Sequence, residues 1–452
     1  MVTIKHSEKL MKIKINTAIA KYKTSAIFRG FVATLIGSGA SKILFVAVTF
    51  VGSNMLGKEQ FGELSFVRNT LDMFLCVCAL NYSSLCTKLT TEANKQDSAI
   101  HKLALVFLFT FCLCVGCGLL LLVAPKSVMT NLFSTSMVVA FFRVAGILFP
   151  IFILQPLLEG VLRGLQKFKL IGYLQTASSL IYLIAMFLGI RSGGLKGAFY
   201  AVVIYYVCYS FMCLFFLCKS IDVLSQIKRI HGFWSERQSI YKLILPVFLM
   251  SFIDAPSYWI AQVILSNYGG IESVGSMVAI MQLTNLAILI PNYFSSTFIA
   301  FAGEYNAQKQ YDLYYVKFDQ FGKLFMTIGI SITVILSVIS PFVLRLYGSD
   351  FVSDWPALIY GSLCIPILML LSLYKIDLIL REHQQILFYI AIVWNGIWLL
   401  SLIALIKVGV APINSFFISR AIGAFIYVAL VWGDYSKGKK VRYTKSNTSL
   451  KI

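Results

Sequence analysis

Eight ionisable side chains stand inside long runs of apolar residues: Lys42, Arg68, Asp72, Arg143, Asp254, Lys375, Asp377 and Arg420. A charge facing hydrocarbon is costly, so each is expected to face a bundle interior, a partner or a water-filled cavity. Arg68 and Asp72 are four residues apart and share one helix face, and Lys375 could be neutralised by Asp377 or a neighbour. Lys42, Arg143 and Arg420 have no partner in the sequence around them. Lys42 is about a dozen residues from either end of its run, which at the helical rise puts it roughly 18 Å deep, too far for snorkelling alone. Guanidinium and ammonium groups in a low dielectric suit an anion, and the guanidinium fork matches phosphate oxygens bidentately. The pattern points to a cationic cavity for a phosphorylated substrate, lined by Lys42, Arg68, Arg143, Lys375 and Arg420. The competing reading is that Asp254 and the other acids pair with these cations across helices. Asp72, Asp254 and Asp377 are the candidates for such pairs or for carrying a coupled ion.

No catalytic set accompanies these charges. The sequence has no P-loop and no Ser/His/Asp set on one side, and its longest internal connection is about two dozen residues. The spacing Cys112-x-Cys114-x-x-Cys117 resembles a metal site, but no histidine lies nearby, and most of the ten cysteines fall in apolar runs. Neither a metal nor a cofactor is expected, and hydrolysis of ATP within this chain is excluded.

The elements that must position the charges are membrane helices. The chain has 452 residues, of which 58% are hydrophobic and only 13% charged, with a mean hydropathy of +0.81. That much apolar surface does not fit in a soluble core. Apolar runs of 20 or more residues favour helices over a barrel, and twelve spans can be placed. With the N-terminus inside, 28 of the 39 Lys and Arg fall in inner tails and loops, 6 in outer loops and 5 within spans. This positive-inside bias accounts for the net charge of +20 without a nucleic-acid partner.

The expected divisions are a basic cytoplasmic segment over residues 1–29, an N-lobe of spans 1–6 over 30–218, a basic amphipathic linker over 219–242, a C-lobe of spans 7–12 over 243–433, and a basic tail over 434–452. Two helices are weakened. Span 1 carries Gly37 and Gly39, and span 7 carries Pro256 two residues after Asp254, so these three are hinge or gate candidates. In the outer loop, Asp350 and Asp354 could bind a cation, although a solvated loop is the simpler expectation.

The two lobes are related. Asn54 to Gly62 and Asn267 to Gly275 share the pattern N-x-x-G-x-E-x-x-G, 213 residues apart, and each joins one long apolar segment to the next. Leu162-Arg163-Gly-Leu-Gln166 answers Leu380-Arg381-Glu-His-Gln384, and Gly193-Gly194 answers Gly409. Repeats in a membrane protein place the substrate site between them.

Three turns carry a family resemblance. Leu56-Gly57-Lys-Glu-Gln-Phe61-Gly62 resembles the L-G-x-x-x-[FY]-G turn of the polysaccharide (oligosaccharide) flippases of the MOP superfamily. Leu162-Arg163-Gly164-Leu-Gln-Lys-Phe168 is similar to their L-R-G-x-x-[KR]-[FY] turn, and Leu346-Tyr347-Gly348-Ser-Asp-Phe351 to their L-[YF]-G-x-x-F loop. The resemblance covers essentially all of the chain. It implies two pseudo-symmetric six-helix lobes in a V and alternating access around a central cationic cavity. The substrate implied is an undecaprenyl-diphosphate-linked O-antigen or related repeat unit, moved from the inner to the outer leaflet of the bacterial inner membrane, with both termini cytoplasmic. A polysaccharide polymerase and a chain-length regulator are the implied protein partners, beside membrane lipids. A lipid II flippase, expected to have fourteen spans, and a multidrug exporter, expected to lack so cationic a core, are the sibling alternatives. A polysaccharide polymerase or ligase would show a large outer loop, and the outer loops here are short.

Overall fold

The computed structural model describes residues 26–80, 82–93, 97–124, 136–220, 237–307, 310–381 and 384–449. Most of the expected basic N-terminal segment and of the amphipathic linker lies outside them. Among the described residues the chain is helical, with no strand. The helices are α1 (Ala26–Leu75), α2 (Tyr82–Ala93), α3 (Asp97–Val123), α4 (Ser136–Phe152), α5 (Leu154–Gly164), α6 (Phe168–Ser220), α7 (Arg237–Ala307), α8 (Tyr311–Val338), α9 (Ser340–Arg345), α10 (Trp355–Leu380), α11 (Gln384–Lys407) and α12 (Pro412–Ser449). A π-helical turn, Cys76–Leu80, lies between α1 and α2. Helices are the open-ended structure that satisfies its own backbone in hydrocarbon.

Nine helical stretches among the described residues are long and apolar enough to cross a membrane. Three of them are folded back on themselves at a glycine: α1 at Gly57, α6 at Gly194 and α7 at Gly270. Each of the three supplies two crossing arms, so nine stretches give twelve crossings. This is the all-α, multi-pass architecture of two six-helix lobes expected from the sequence.

The repeated motif is a repeated backbone. Gly57 has φ 75° and ψ 172°, and its counterpart Gly270 has φ 75° and ψ 167°. A residue with a Cβ would be strained in either place, which is why glycine stands at the same step of both copies. The two copies also meet. A Cβ on Gly62 would lie 2.1 Å from the Ile271 carbonyl oxygen, and one on Gly275 would lie 2.7 Å from that of Lys58. The backbones of the two lobes are therefore in contact at this end.

Polar contacts reinforce the junction. Lys58 Nζ lies 2.6 Å from Asp354 Oδ2, which also accepts from the Ser276 hydroxyl. Asn54 Nδ2 donates to the Leu346 carbonyl. Asp354, left open as a loop cation ligand, is thus half of a pair between lobes. Phe50 and Phe61 pack on Tyr347 and Phe351 beneath it, and a continuous apolar core runs from Val48 in the first lobe to Phe417 in the second.

Two expectations about helix ends change. The segment after residue 433 does not separate from the last span: α12 continues to Ser449. Its continuation is held by ion pairs, Arg381 with Asp434 and Lys439 Nζ with Asp319 Oδ2 at 2.6 Å, so packing persists where the apolar run stops. The hinge candidates do not interrupt their helices in this conformation. The non-helical residue inside α1 is Gly57 and that inside α7 is Gly270. Gly37 is a site of close packing, since a Cβ there would lie 2.3 Å from Gly172 Cα; Gly39 faces open space, and Pro256 lies within continuous helix.

Replacing Gly62 with valine is expected to lower stability by about 1–3 kcal/mol, the usual cost of overpacking, and to part the lobes at this end. A reduced melting temperature and new thiol reactivity of a cysteine placed at the buried Ser276 would report both effects. Gly116→Ala, where a Cβ meets nothing within 4 Å, is the control expected to show neither.

Candidate functional site

Away from the closed end lies a cavity of about 700 Å³. Its walls follow helical spacing. The first arm of α1 contributes Ser38, Ser41, Lys42 and Phe45, and the second arm Arg68, Asp72 and Leu75. Helix α5 contributes Gln155, Pro156, Glu159 and Arg163, and α6 contributes Gln175, Tyr205, Tyr206 and Tyr209. Within each arm most of these residues recur at three or four positions, so one face of each arm lines the space. From the second lobe come Gln282, Asn285, Leu286 and Leu289 of α7. All the charge in the cavity is on the first lobe. A narrow slot continues past Arg68 and Gln282 toward the closed end, between Thr49, Ser65 and Asn69.

The acids and two of the cations are already held. Arg68 Nε lies 3.7 Å from Asp72 Oδ2, and its guanidinium is 5.3 Å from the Phe45 ring centroid and 5.7 Å from that of Tyr182. The electron-rich ring faces add cation–π attraction to the pair. Tyr206 donates its hydroxyl to Asp72. Glu159, buried, accepts from Arg163 and from Gln175 Nε2 at 3.0 Å through one oxygen, and from the Tyr209 hydroxyl at 2.8 Å through the other. Gln175 in turn accepts from Ser38 at 2.6 Å. Lys42 is different. It is exposed to the cavity and has no carboxylate within ion-pair distance and no hydrogen bond among the described residues.

The residues singled out from sequence therefore divide. Lys42, Arg68 and Asp72 come together in the cavity, with Arg68 and Asp72 paired as their spacing required. Arg143, Arg420 and Lys375 do not line it. Arg143 is exposed on α4, on the same side as the exposed Val144 and Ile147, whereas Val139, Phe142, Ala145 and Phe149 form the buried face. The three-and-four periodicity of those apolar positions already marked Arg143 as outside the core. It lies two turns from the start of α4, about 10 Å at the helical rise, within the range over which an arginine can snorkel. Arg420 is set against the Met281 sulfur. Lys375 lies over the Tyr427 ring, 4.9 Å from its centroid, and does not pair with Asp377, because residues two apart point to different sides of a helix.

Asp377 is fully buried against Arg381 at 2.6 Å and the Tyr314 hydroxyl at 2.8 Å, and Arg381 also holds Asp434. This cluster ties α8, α10 and α12 together, away from the cavity. Asp254 is exposed and accepts from Asn395 Nδ2 at 2.8 Å.

Glu159 and Arg163 were missed in sequence. Glu159 sits in an apolar run, in Pro156-Leu-Leu-Glu-Gly, and the rule that selected the other eight charges selects it too. Arg163 belongs to a basic turn in sequence, yet it stands four residues from Glu159 and so on its face of the helix. Removing the acceptor of three donors should be felt: Glu159→Ala leaves the buried Tyr209 hydroxyl and Gln175 amide unpaired. It is expected to destabilise the protein by about 1–3 kcal/mol, read as a lower melting temperature, with Glu159→Gln costing less because it still accepts.

Among solved structures the chain is similar to an inward-facing multidrug resistance MATE family transporter of the MOP superfamily, with 13% identity, a TM-score of 0.77, and cover of 91% of this chain and 99% of the other. It is similar to a MOP superfamily transporter from Pyrococcus furiosus, described as having a binding pocket of reverse polarity that suggests a different function, at 15% identity, a TM-score of 0.69, and cover of 92% and 96%. It is also similar to the lipid II flippase MurJ in an inward closed conformation, at 15% identity, a TM-score of 0.67, and cover of 90% and 87%. At such identities the likeness is one of fold. No curated protein sequence matches the chain. The family profile described as "Polysaccharide biosynthesis protein" matches residues 27–301, well over half of the chain. The chain therefore belongs to the polysaccharide biosynthesis protein family, and its fold is that of the MOP-superfamily membrane transporters.

Proposed function

We propose that this protein is a flippase for a lipid-linked oligosaccharide, an undecaprenyl-diphosphate-bound repeat unit of O-antigen or a related polysaccharide, and that it carries the unit from the inner to the outer leaflet of a bacterial inner membrane by alternating access. The observation that carries the reading is Lys42, a cation facing the cavity with no anion to hold it among the described residues. A protein-bound ammonium deep among helices is costly until an anion reaches it, and a diphosphate head is such an anion. The polyprenyl tail would stay in the bilayer while the head and sugars enter the cavity. Arg68 and Arg163 stand beside the seat but are already engaged by Asp72 and Glu159, so the excess positive charge of the site is about one.

The positive-inside distribution supports cytoplasmic termini, which puts the cavity end at Arg163 toward the cytoplasm and the Gly62 and Gly275 contact toward the outside. The conformation is then the one that loads from the inner leaflet. Ion coupling, if it drives the return, has Asp72 and Glu159 as acids in the cavity, while Asp254 and Asp377 are engaged elsewhere. A multidrug exporter for organic cations would meet the repulsion of Lys42. Efflux of a cationic dye unaffected by deleting the gene would separate that reading from this one.

Deleting the gene is expected to leave lipid-linked units facing the cytoplasm and to abolish surface polysaccharide. In a strain complemented with variants, Lys42→Ala is expected to reduce flipping by about 10- to 100-fold, the worth of one hydrogen bond to a charged group, with Lys42→Arg retaining most of it. Full flipping by a well-folded Lys42→Ala protein would overturn the diphosphate seat.

A further inference from the structure

The cavity's polar groups fall into two sets. In the first, every group is spent within the protein: Ser38 on Gln175, Ser41 on Ser179, Tyr206 on Asp72, and Arg163, Gln175 and Tyr209 on Glu159. The second set lines the same space and has no hydrogen-bond or ion-pair partner among the described residues: Lys42, Gln155, Tyr205 through its hydroxyl, Gln282 and Asn285. An amide left unmet in a cavity wall is waiting for water or for a ligand, and pre-placed polar groups of this kind set the orientation and specificity of a pocket.

Resting on the flippase reading above, we infer that Lys42, Gln155, Tyr205, Gln282 and Asn285 are the ligand-contacting set, and that what the four neutral members recognise is the saccharide next to the phosphate. Three amides and a phenol each offer both donor and acceptor atoms, the complement of hydroxyl and acetamido groups, which also do both. One unpaired cation serves one phosphate. A free polyanion such as a nucleotide would find the remaining cations already taken by carboxylates. Apolar surface is present but modest: the Tyr205 ring, held edge-on to Phe45 at 5.2 Å and against Tyr182 at 5.0 Å, and Leu286 and Leu289 opposite. It suits the C–H faces of a sugar ring better than a large aromatic drug.

The placement adds a second feature. Lys42, Gln155 and Tyr205 are on the first lobe, whereas Gln282 and Asn285 are three residues apart on one face of α7 in the second. The phosphate seat is therefore on one wall and half of the sugar seat on the other, so a bound saccharide bridges the lobes and a bare phosphate does not.

The test compares two probes on the purified full-length protein in lipid nanodiscs, with binding followed by native mass spectrometry. The probes are undecaprenyl diphosphate alone, and the undecaprenyl-diphosphate-linked saccharide extracted from the source organism. Wild type is expected to bind the glycosylated lipid more tightly than the bare one. Tyr205→Phe, Gln282→Met and Asn285→Leu, each nearly volume-conserving, are expected to reduce that preference by about two- to tenfold apiece, the worth of a neutral hydrogen bond, with little change for the bare lipid. Lys42→Ala is expected to weaken both probes by the same factor and leave the preference intact. Tyr205→Phe keeps the ring cluster and so remains a test should another variant express poorly. An unchanged preference in the three variants, or a loss that falls equally on the bare lipid, overturns the assignment of a sugar seat while the flippase reading stands. Wild-type protein that binds neither lipid overturns that reading, and the sugar seat with it.

Discussion

The contact between the backbones at Gly62 and Gly275 holds the two lobes together at one end and so decides where the space between them lies. Two helical hairpins can approach this closely where neither carries a Cβ, because the next atom on each side is the other's main chain at under 3 Å from where a Cβ would be. Interfaces inside a membrane gain little from the hydrophobic effect, since lipid tails are as apolar as leucine, and rely on close packing and polar pairs. The pair of small residues supplies the packing, and Lys58 with Asp354 supplies the polar contact between the lobes. With the lobes held at one end, the space between them must open toward the other. A chamber accessible from one side at a time is what a transporter needs, and here a sequence repeat places it.

The second constraint is the cost of charge. Five ionisable groups share one cavity, and four of them answer one another through short local geometry: Arg68 with Asp72 and Arg163 with Glu159, each four residues apart on a single helix. Tyrosines from α6 cap both carboxylates. Such pairs contribute little net stability, but breaking one strands its partner. They therefore behave as a fixed frame, and the fifth group, Lys42, has no ion-pair partner among the described residues and is left to interact with a visitor. The same logic operates away from the cavity, where Asp377, Arg381 and Asp434 cross-link three helices and hold α12 in place beyond its apolar run.

The sequence made the fold legible because its signals are long and redundant. Twelve apolar runs, a charge asymmetry between loops and a motif repeated 213 residues apart each specify the same two-lobed bundle. The site was legible only in part. Burial of a charge in an apolar run says that the residue needs company, not which company it has. Lys42 and Arg68 meet in the cavity, whereas Arg143 escapes to the surface, Arg420 settles against a methionine sulfur, and Lys375 rests on a tyrosine ring. Helical phase would have separated Arg143 from the others, since its neighbours Val139, Phe142 and Phe149 define a different face. The cross-lobe contribution of Gln282 and Asn285 had no local signal at all, because a neutral amide in an apolar helix becomes conspicuous only when it lines a cavity with no partner among the described residues.

Gly37 illustrates how a correct physical premise can lead to more than one structure. A run of small residues lowers the stiffness of a helix and equally lets another helix come close. In this conformation the second effect operates, with the Gly37 backbone against that of Gly172 and the Thr176 hydroxyl donating to its carbonyl at 3.1 Å. That contact lies about one and a half turns from Lys42, so the close crossing of α1 and α6 also fixes how far the lysine reaches into the cavity. Any motion of the first arm of α1 that opened the closed end would have to slide or break this crossing, and would move Lys42 with it. The position of the unpaired cation and the conformation of the lobes are therefore mechanically linked through two glycines.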